Sequence, residues 1–564
     1  MTEQHHDRNA AVSSGGGSPP VPLETTGVPG LDEVLGGGIQ RGSLAILAGP
    51  PGSGKTILAH HIAFSAARSG RRTTILTAFS EPTNKLIAHM RSFDFFDQEL
   101  LGQMLDVLSI QQSLRLGLDS AASDILDAVR SAKARLVVLD GFRGVRETAE
   151  HPEEARRFIY DVSNRLSLLG ITLLLTSEAN ARDATFFPEA TTADVLLGLA
   201  FDAIEARERR TLEVLKVRGA APLTGRHALT IGDDGVTVYP RLEARVARLA
   251  GSYRSLHAPL ASVTQPEQSP HTLSAEHGRA RAVDAGVDMI ADTGIAGLDT
   301  LLGGGFARGA SALVVGERGT GKTLFGIQFA LQGARAEEPG LFVSFRETEG
   351  ELVRKVASFG WSAEFQHALG VGLLTILRTP PVELVADVLV NNLLSLLDAT
   401  QARRLVLDEV GEIERALAAS GYAWRFHDFL AALIEALRRR TVTTVFTAHL
   451  AATDRSTLER QLGPAGMLSQ NLLWLRQAPH ASGIHRSLTL QTPRSESAAS
   501  PHTITIRAQE GIRVLETANL TRRVRRSTRM RGGATDTGID AGAALRADAA
   551  RWGVASDEEW PDEN

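Results

Sequence analysis

The chain has 564 residues, too many for one hydrophobic core, so several domains are expected. Its 60 basic and 65 acidic side chains give a net charge of −5, which argues against a general nucleic-acid binder, and the absence of Cys excludes disulfides, Cys-ligated zinc and thiol catalysis. No run of about twenty apolar residues occurs, so no membrane-spanning helix is expected.

Residues 1–21 are polar, carry no apolar secretory core and read as a disordered segment, which points to a cytoplasmic protein. A first domain is expected over residues 22–249. Its apolar run Leu44–Ala48 reads as a strand and leads into Gly49-Pro50-Pro51-Gly52-Ser53-Gly54-Lys55-Thr56, a match to GxxxxGK[ST]. Glycines let backbone N–H groups wrap a phosphate chain, and the helix that follows adds the positive end of its dipole. Lys reaches the β- and γ-phosphates, and Thr holds Mg²⁺. Thr73–Thr77, Leu136–Leu139 and Ile171–Thr176 read as further strands between longer helical patterns. Alternation of this kind predicts an α/β domain, a mostly parallel sheet flanked by helices. Ligands of such sheets sit at the carboxyl ends of the strands. Glu81, just after the second strand, is a candidate to orient and deprotonate an attacking water. Asp140 ends LVVLD and suits Mg²⁺ beside Thr56. Thr176-Ser177-Glu178 ends the next strand, as a γ-phosphate sensor or as ordinary turn polarity.

Residues 250–286 are rich in Ser, His, Pro and Ala and read as a linker. A second domain is expected over 287–517, because residues 293–323 repeat residues 26–56 in register: Thr-Gly, Gly-Leu-Asp, Leu-Gly-Gly-Gly and Arg-Gly all recur. The second phosphate loop is Gly316-Glu317-Arg318-Gly319-Thr320-Gly321-Lys322-Thr323, after a strand at Ala312–Val315. Strands are expected at Leu341–Phe345, Arg404–Leu407 and Val442–Thr447. Glu347 matches Glu81, and Asp408 matches Asp140 with Glu409 beside it. Thr447-Ala448-His449 matches Thr176-Ser177-Glu178. Residues 518–564 read as a disordered tail, with six Arg between Arg522 and Arg531 before an acidic end.

Together with RRTLEVLKVRG at 209–219 and HALTIGDDGVTVYP at 227–240, these motifs resemble the KaiC family of RecA-like ATPases across roughly both halves. The resemblance implies two tandem RecA-like P-loop domains in a homohexameric ring, with ATP and Mg²⁺ between neighbouring subunits. It also implies that Lys216 and Arg218 of the KVRG segment reach the γ-phosphate in the neighbour's site, the role of an arginine finger. The bland alternative for that segment is a basic edge strand.

The chain departs from the family pattern in three places. The family's Glu-Glu pair keeps only its second member, since Ser80 precedes Glu81 and Arg346 precedes Glu347, which places a cation in cis near the second loop. The second-half counterpart of KVRG is LQTPRSES, where Arg494 remains and the Lys is lost. The circadian clock protein for which the family is named autophosphorylates adjacent Ser and Thr residues, which align here with Gly466 and Met467, and this argues against such a phosphorylation cycle. The expected protein is therefore a slow ATPase and oligomeric switch that addresses an unidentified signalling protein. Alternatives are a serine/threonine autokinase and a RecA-like DNA binder using the basic segment 522–531.

Overall fold

A computed structural model describes residues 22–78, 83–178, 188–204, 207–256, 290–450, 468–480, 483–492 and 501–515. The first sheet holds nine strands: β1 (Leu44–Ala48), β2 (Thr73–Thr77), β3 (Leu105–Ser109), β4 (Leu136–Asp140), β5 (Thr172–Ser177), β6 (Val195–Ile204), β7 (Arg207–Val217), β8 (Arg226–Gly232) and β9 (Gly235–Tyr239). The second holds β10 (Ser311–Gly316), β11 (Gly340–Ser344), β12 (Leu374–Arg378), β13 (Arg404–Asp408), β14 (Thr443–His449), β15 (Asn471–His480), β16 (Gly483–Gln491), β17 (His502–Arg507) and β18 (Gly511–Val514). Their orders, β3-β2-β4-β5-β1-β6-β7-β8-β9 and β12-β11-β13-β14-β10-β15-β16-β17-β18, are the same path walked twice. The first six strands of each sheet run parallel, and the last three follow as antiparallel hairpins. These are the two domains that the repeat predicted, with the tandem RecA-like architecture that the resemblance implied.

The apolar runs explain the parallel part. Every residue of β1, β2, β4 and β5 is buried, as expected of strands covered by helices on both faces. Six of the helices carry residues near the loops or between the domains: α1 (Lys55–Arg68), α2 (Leu242–Leu256), α3 (Lys322–Arg335), α4 (Glu349–Ala357), α5 (Ala386–Thr400) and α6 (Gly411–Ala419). α1 and α3 leave the two phosphate loops and lie on their sheets. α2 continues to Leu256, into the stretch read as linker. Among the described residues, no helix is long and apolar enough to cross a membrane.

The repeated TG-x-x-GLD lead-in turns out to be architectural. Thr26 donates to Asp32 Oδ1 through its backbone N at 2.8 Å and through its hydroxyl at 2.7 Å, and Thr293 N repeats the bond to Asp299 Oδ1 at 2.8 Å. The Gly that follows is wedged under the last strand. A Cβ on Gly30 would lie 1.9 Å from Val238 O, and one on Gly297 would lie 2.4 Å from Val514 O. Both sit at positive φ, so any side chain there meets a clash and a strained backbone together.

The two domains are joined by buried contacts. Leu242 of α2 lies in the hydrophobic cluster of the second domain, and Asn391 of α5 donates to Pro240 O at 3.0 Å. Arg425, 4 % exposed, bonds Asp387 of α5 and Glu243 of α2 with the two edges of its guanidinium.

Candidate functional site

Strands β1, β5 and β4 are neighbours, so their carboxyl ends bring the first loop, Ser177 and Asp140 to one edge. Strands β10, β14 and β13 do the same for the second loop, His449 and Asp408. Each loop turns into its helix through a left-handed Gly, Gly54 at φ 96° and Gly321 at φ 107°, with no side chain capping the helix. First-turn N–H groups are thereby left for an anion. Room for backbone contact is enforced at the first loop residue. A Cβ on Gly49 would lie 2.4 Å from Leu199 O, and one on Gly316 the same distance from Leu475 O.

Lys55 Nζ donates to Pro50 O at 2.9 Å, and Lys322 Nζ donates to Gly316 O at 2.8 Å and Glu317 O at 2.9 Å. Burial pushes both ammonium groups down, and nearby carboxylates (Glu178 and Asp140; Glu409 and Asp408) oppose it. Both cations thus rest on neutral carbonyls, which a phosphate chain would replace with full negative charge. Ser53 Oγ is buried without a hydrogen-bond partner, whereas its counterpart Thr320 donates to Glu317 O at 2.8 Å. An orphaned hydroxyl inside a glycine cradle fits a phosphate oxygen. Lys55→Ala and Lys322→Ala are each expected to weaken ATP binding at their own loop by about ten- to a hundredfold, for a lost charge-assisted contact of roughly 1.5–3 kcal/mol. Titration with a fluorescent ATP analogue in a chain carrying the sister substitution reads each loop alone.

The strand-end carboxylates are held by hydroxyls from both sides. Asp140 Oδ1 accepts from Thr56 at 3.1 Å and from Thr176 at 2.6 Å. Asp408 accepts from Thr323 at 2.9 Å and from Thr447. Thr176 and Thr447 therefore orient the Asp, a role that residue type alone left open. Burial pushes the Asp408 carboxyl up. Sequence reasoning missed His60 on α1, whose buried Nε2 lies 3.7 Å from Asp140 Oδ2 and has no hydrogen-bond partner. Its imidazole is pushed down by burial, and Ile327 takes its place in the second half. No three His, Cys, Asp or Glu among the described residues form a metal cluster. The Thr–Asp pairs instead suit Mg²⁺, which takes few protein ligands and completes its shell with phosphate oxygens and water.

A cavity of about 480 Å³ is lined by Lys322, Thr323, Asp408, Arg346, Glu347 and Lys355, among others. Glu347 pairs with Lys355 of α4 through one carboxylate oxygen, while its other oxygen is buried with no partner. That second oxygen has the lone pairs a water molecule would need. Glu409 is otherwise engaged, accepting from His449 N at 2.9 Å. Glu81, Gly466, Met467 and Arg494 lie outside the described residues.

Lys216 and Arg218 do not approach their own loop. β7 runs antiparallel to β6, which places them toward the amino-terminal edge of the parallel strands, and Lys216 lies opposite Leu196. There Lys216 Nζ donates to Thr191 O at 3.0 Å, and Arg218 pairs with Asp194 at 3.1 Å. The phosphate loop leaves the opposite edge.

A family model described as "ATPase: KaiC" matches residues 24–243 and 291–519. Among curated proteins, the chain is 25 % identical over 433 residues to circadian clock oscillator protein KaiC 1 of Synechocystis sp., covering 75 % of each chain. It is 24 % identical over 433 residues to the KaiC of Rippkaea orientalis, again 75 % of each chain. It is 23 % identical over 459 residues to that of Nostoc sp., 79 % of each chain.

Proposed function

Because the chain belongs to the KaiC family of ATPases, matched across both of its halves, we propose that it is a Mg²⁺-dependent oligomeric switch that binds ATP at both loops and hydrolyses it slowly. The observation that carries this reading is the placement of Lys216 and Arg218, at the opposite edge of the sheet from their own loop. In the proposed ring, that edge would face the loop of the next subunit. Each chain would then bind nucleotide by itself and receive the cation that stabilises the departing phosphoryl charge from its neighbour. Turnover would follow assembly, and a partner that distinguishes ATP-loaded from ADP-loaded rings would read the state.

Within each site the division of labour follows from the side chains. Loop N–H groups and Lys55 or Lys322 bind the phosphates. Thr56 with Asp140, and Thr323 with Asp408, would hold Mg²⁺, which when bound neutralises phosphate charge. Glu81 and Glu347 would orient the water and accept its proton, each without the preceding Glu usual in the family. Glu347 has one oxygen tied to Lys355, which leaves only its other oxygen to orient water and favours slow turnover.

The test is phosphate release by the intact chain, sized with and without Mg-ATP. Glu81→Gln and Glu347→Gln are each expected to lower turnover at their own site by about a hundredfold. If Glu81→Gln leaves release untouched in the Lys322→Ala background, its catalytic role is wrong. Label from γ-labelled ATP retained on the protein, rather than released, would point instead to phosphoryl transfer.

A further inference from the structure

The two halves differ in concert at one pair of positions. Arg346 precedes Glu347 where Ser80, outside the described residues, precedes Glu81. Four residues after the strand-end Asp, Glu412 stands in the second half where Gly144 stands in the first. The fold joins the two second-half residues. Arg346 Nε donates to Glu412 Oε1 at 2.9 Å, and Glu412 is only 4 % exposed. Arg415 pairs with the same carboxylate from the next turn of α6. In the first half Gly144 is buried and offers no anchor.

A buried carboxylate is costly unless a cation accompanies it. Glu412, paired with both Arg346 and Arg415, therefore fixes the Arg346 guanidinium in place. This pairing holds a guanidinium on the wall of the second nucleotide cavity, beside Lys322, Thr323 and Asp408. The charges in this pocket act on one another: burial pushes the Lys322 ammonium down with Arg346 adding to it, and the hydrogen bond to Glu412 pushes the Arg346 guanidinium up with Glu409 and Asp408 adding to it. The bond at Nε uses one of the five donors of the side chain.

We propose that Arg346, anchored by Glu412, is a ligand in cis for the terminal phosphate of a nucleoside triphosphate bound at the second loop. The proposal rests on the reading of that loop as an ATP site. Guanidinium and phosphate pair by charge-assisted, bidentate hydrogen bonds, so the contact tells a triphosphate from a diphosphate. The second half has lost the Lys of its KVRG counterpart, and Arg346 supplies a cation from the same chain. The cation that meets the terminal phosphate at the second loop then comes from the same chain, whereas at the first loop it comes from the neighbouring subunit.

The experiment uses the full chain carrying Lys55→Ala, so that binding reports the second loop, with fluorescent ATP and ADP analogues as probes. Arg346→Ser is expected to weaken ATP binding by about ten- to a hundredfold while ADP affinity stays within about twofold, which also shows that the site is folded. Arg346→Lys should recover part of the loss, and Glu412→Gln should fall between. Equal losses for ATP and ADP, or no loss for ATP, overturn the proposal. If the Lys55→Ala chain binds neither nucleotide before Arg346 is touched, the reading of the second loop itself fails.

Discussion

Lys216→Ala is expected to lower phosphate release at the first site by roughly a thousandfold, the scale of a cation supplied in trans to a departing phosphoryl group. Arg218→Ala should act in the same direction, with its loss of the Asp194 pair contributing little because that pair is exposed. Nucleotide affinity should fall much less than turnover, since the loop, Lys55 and the Thr56–Asp140 pair are untouched. The decisive version mixes two inactive chains. A Lys216→Ala chain keeps an intact loop, and a Lys55→Ala chain keeps an intact KVRG segment. Co-assembled, they place a sound loop against a sound Lys at a fraction of the interfaces, and release should return. Both chains carry Lys322→Ala, so that only the first site is read. No recovery in mixed assemblies of confirmed size would sink the trans assignment.

Much of the scaffold could be read from the chain because its signals are local. Burial on both faces makes parallel strands continuous apolar runs, so Leu44–Ala48 and Thr73–Thr77 were placed to the residue and the other expected strands to within two. The phosphate loops are equally local as a signal, since eight consecutive residues carry each motif. The TG-x-x-GLD lead-in was legible as a repeat but not in its purpose. Its Asp closes a turn onto Thr26, and its Gly makes room for the backbone of a strand about two hundred residues onward.

What escaped sequence reading depends on pairs distant in the chain. Glu412 meets Arg346 across 66 positions, and His60 reaches Asp140 from another element. Neither has a period or a spacing to announce it. Lys355 carries no motif or spacing of its own, yet it holds the carboxylate expected to orient water. Comparison of the two halves of the chain carries part of this information. Arg346 with Glu412, against Ser80 with Gly144, is a paired difference visible in the sequence once the fold shows which positions to compare.

The largest stability effect is expected at the joint between the domains. Arg425 donates from Nε and Nη2 to Glu243 at 2.8 and 2.9 Å, and from Nη1 and Nη2 to Asp387 at 3.0 and 2.8 Å. Both carboxylates are themselves largely buried, so the guanidinium neutralises charge that water does not reach. Arg425→Ala would strand two carboxylates in a poorly solvated joint, and removing one partner of a buried network costs about 3–5 kcal/mol. Next to it, Arg209 of β7 lies 4.3 Å over the Tyr422 ring, which Arg425 also faces at 5.5 Å, and donates to Ser420 O at 2.6 Å. The variant should therefore unfold in two steps by calorimetry where the parent chain shows coupled melting of both domains. Adding Glu243→Gln and Asp387→Asn should return part of the loss, because the stranded charges are then gone. If Arg425→Ala melts with the parent, or if the triple variant is no more stable than the single one, charge burial is not what holds the domains together. In that case Leu242 and its apolar surroundings carry the joint.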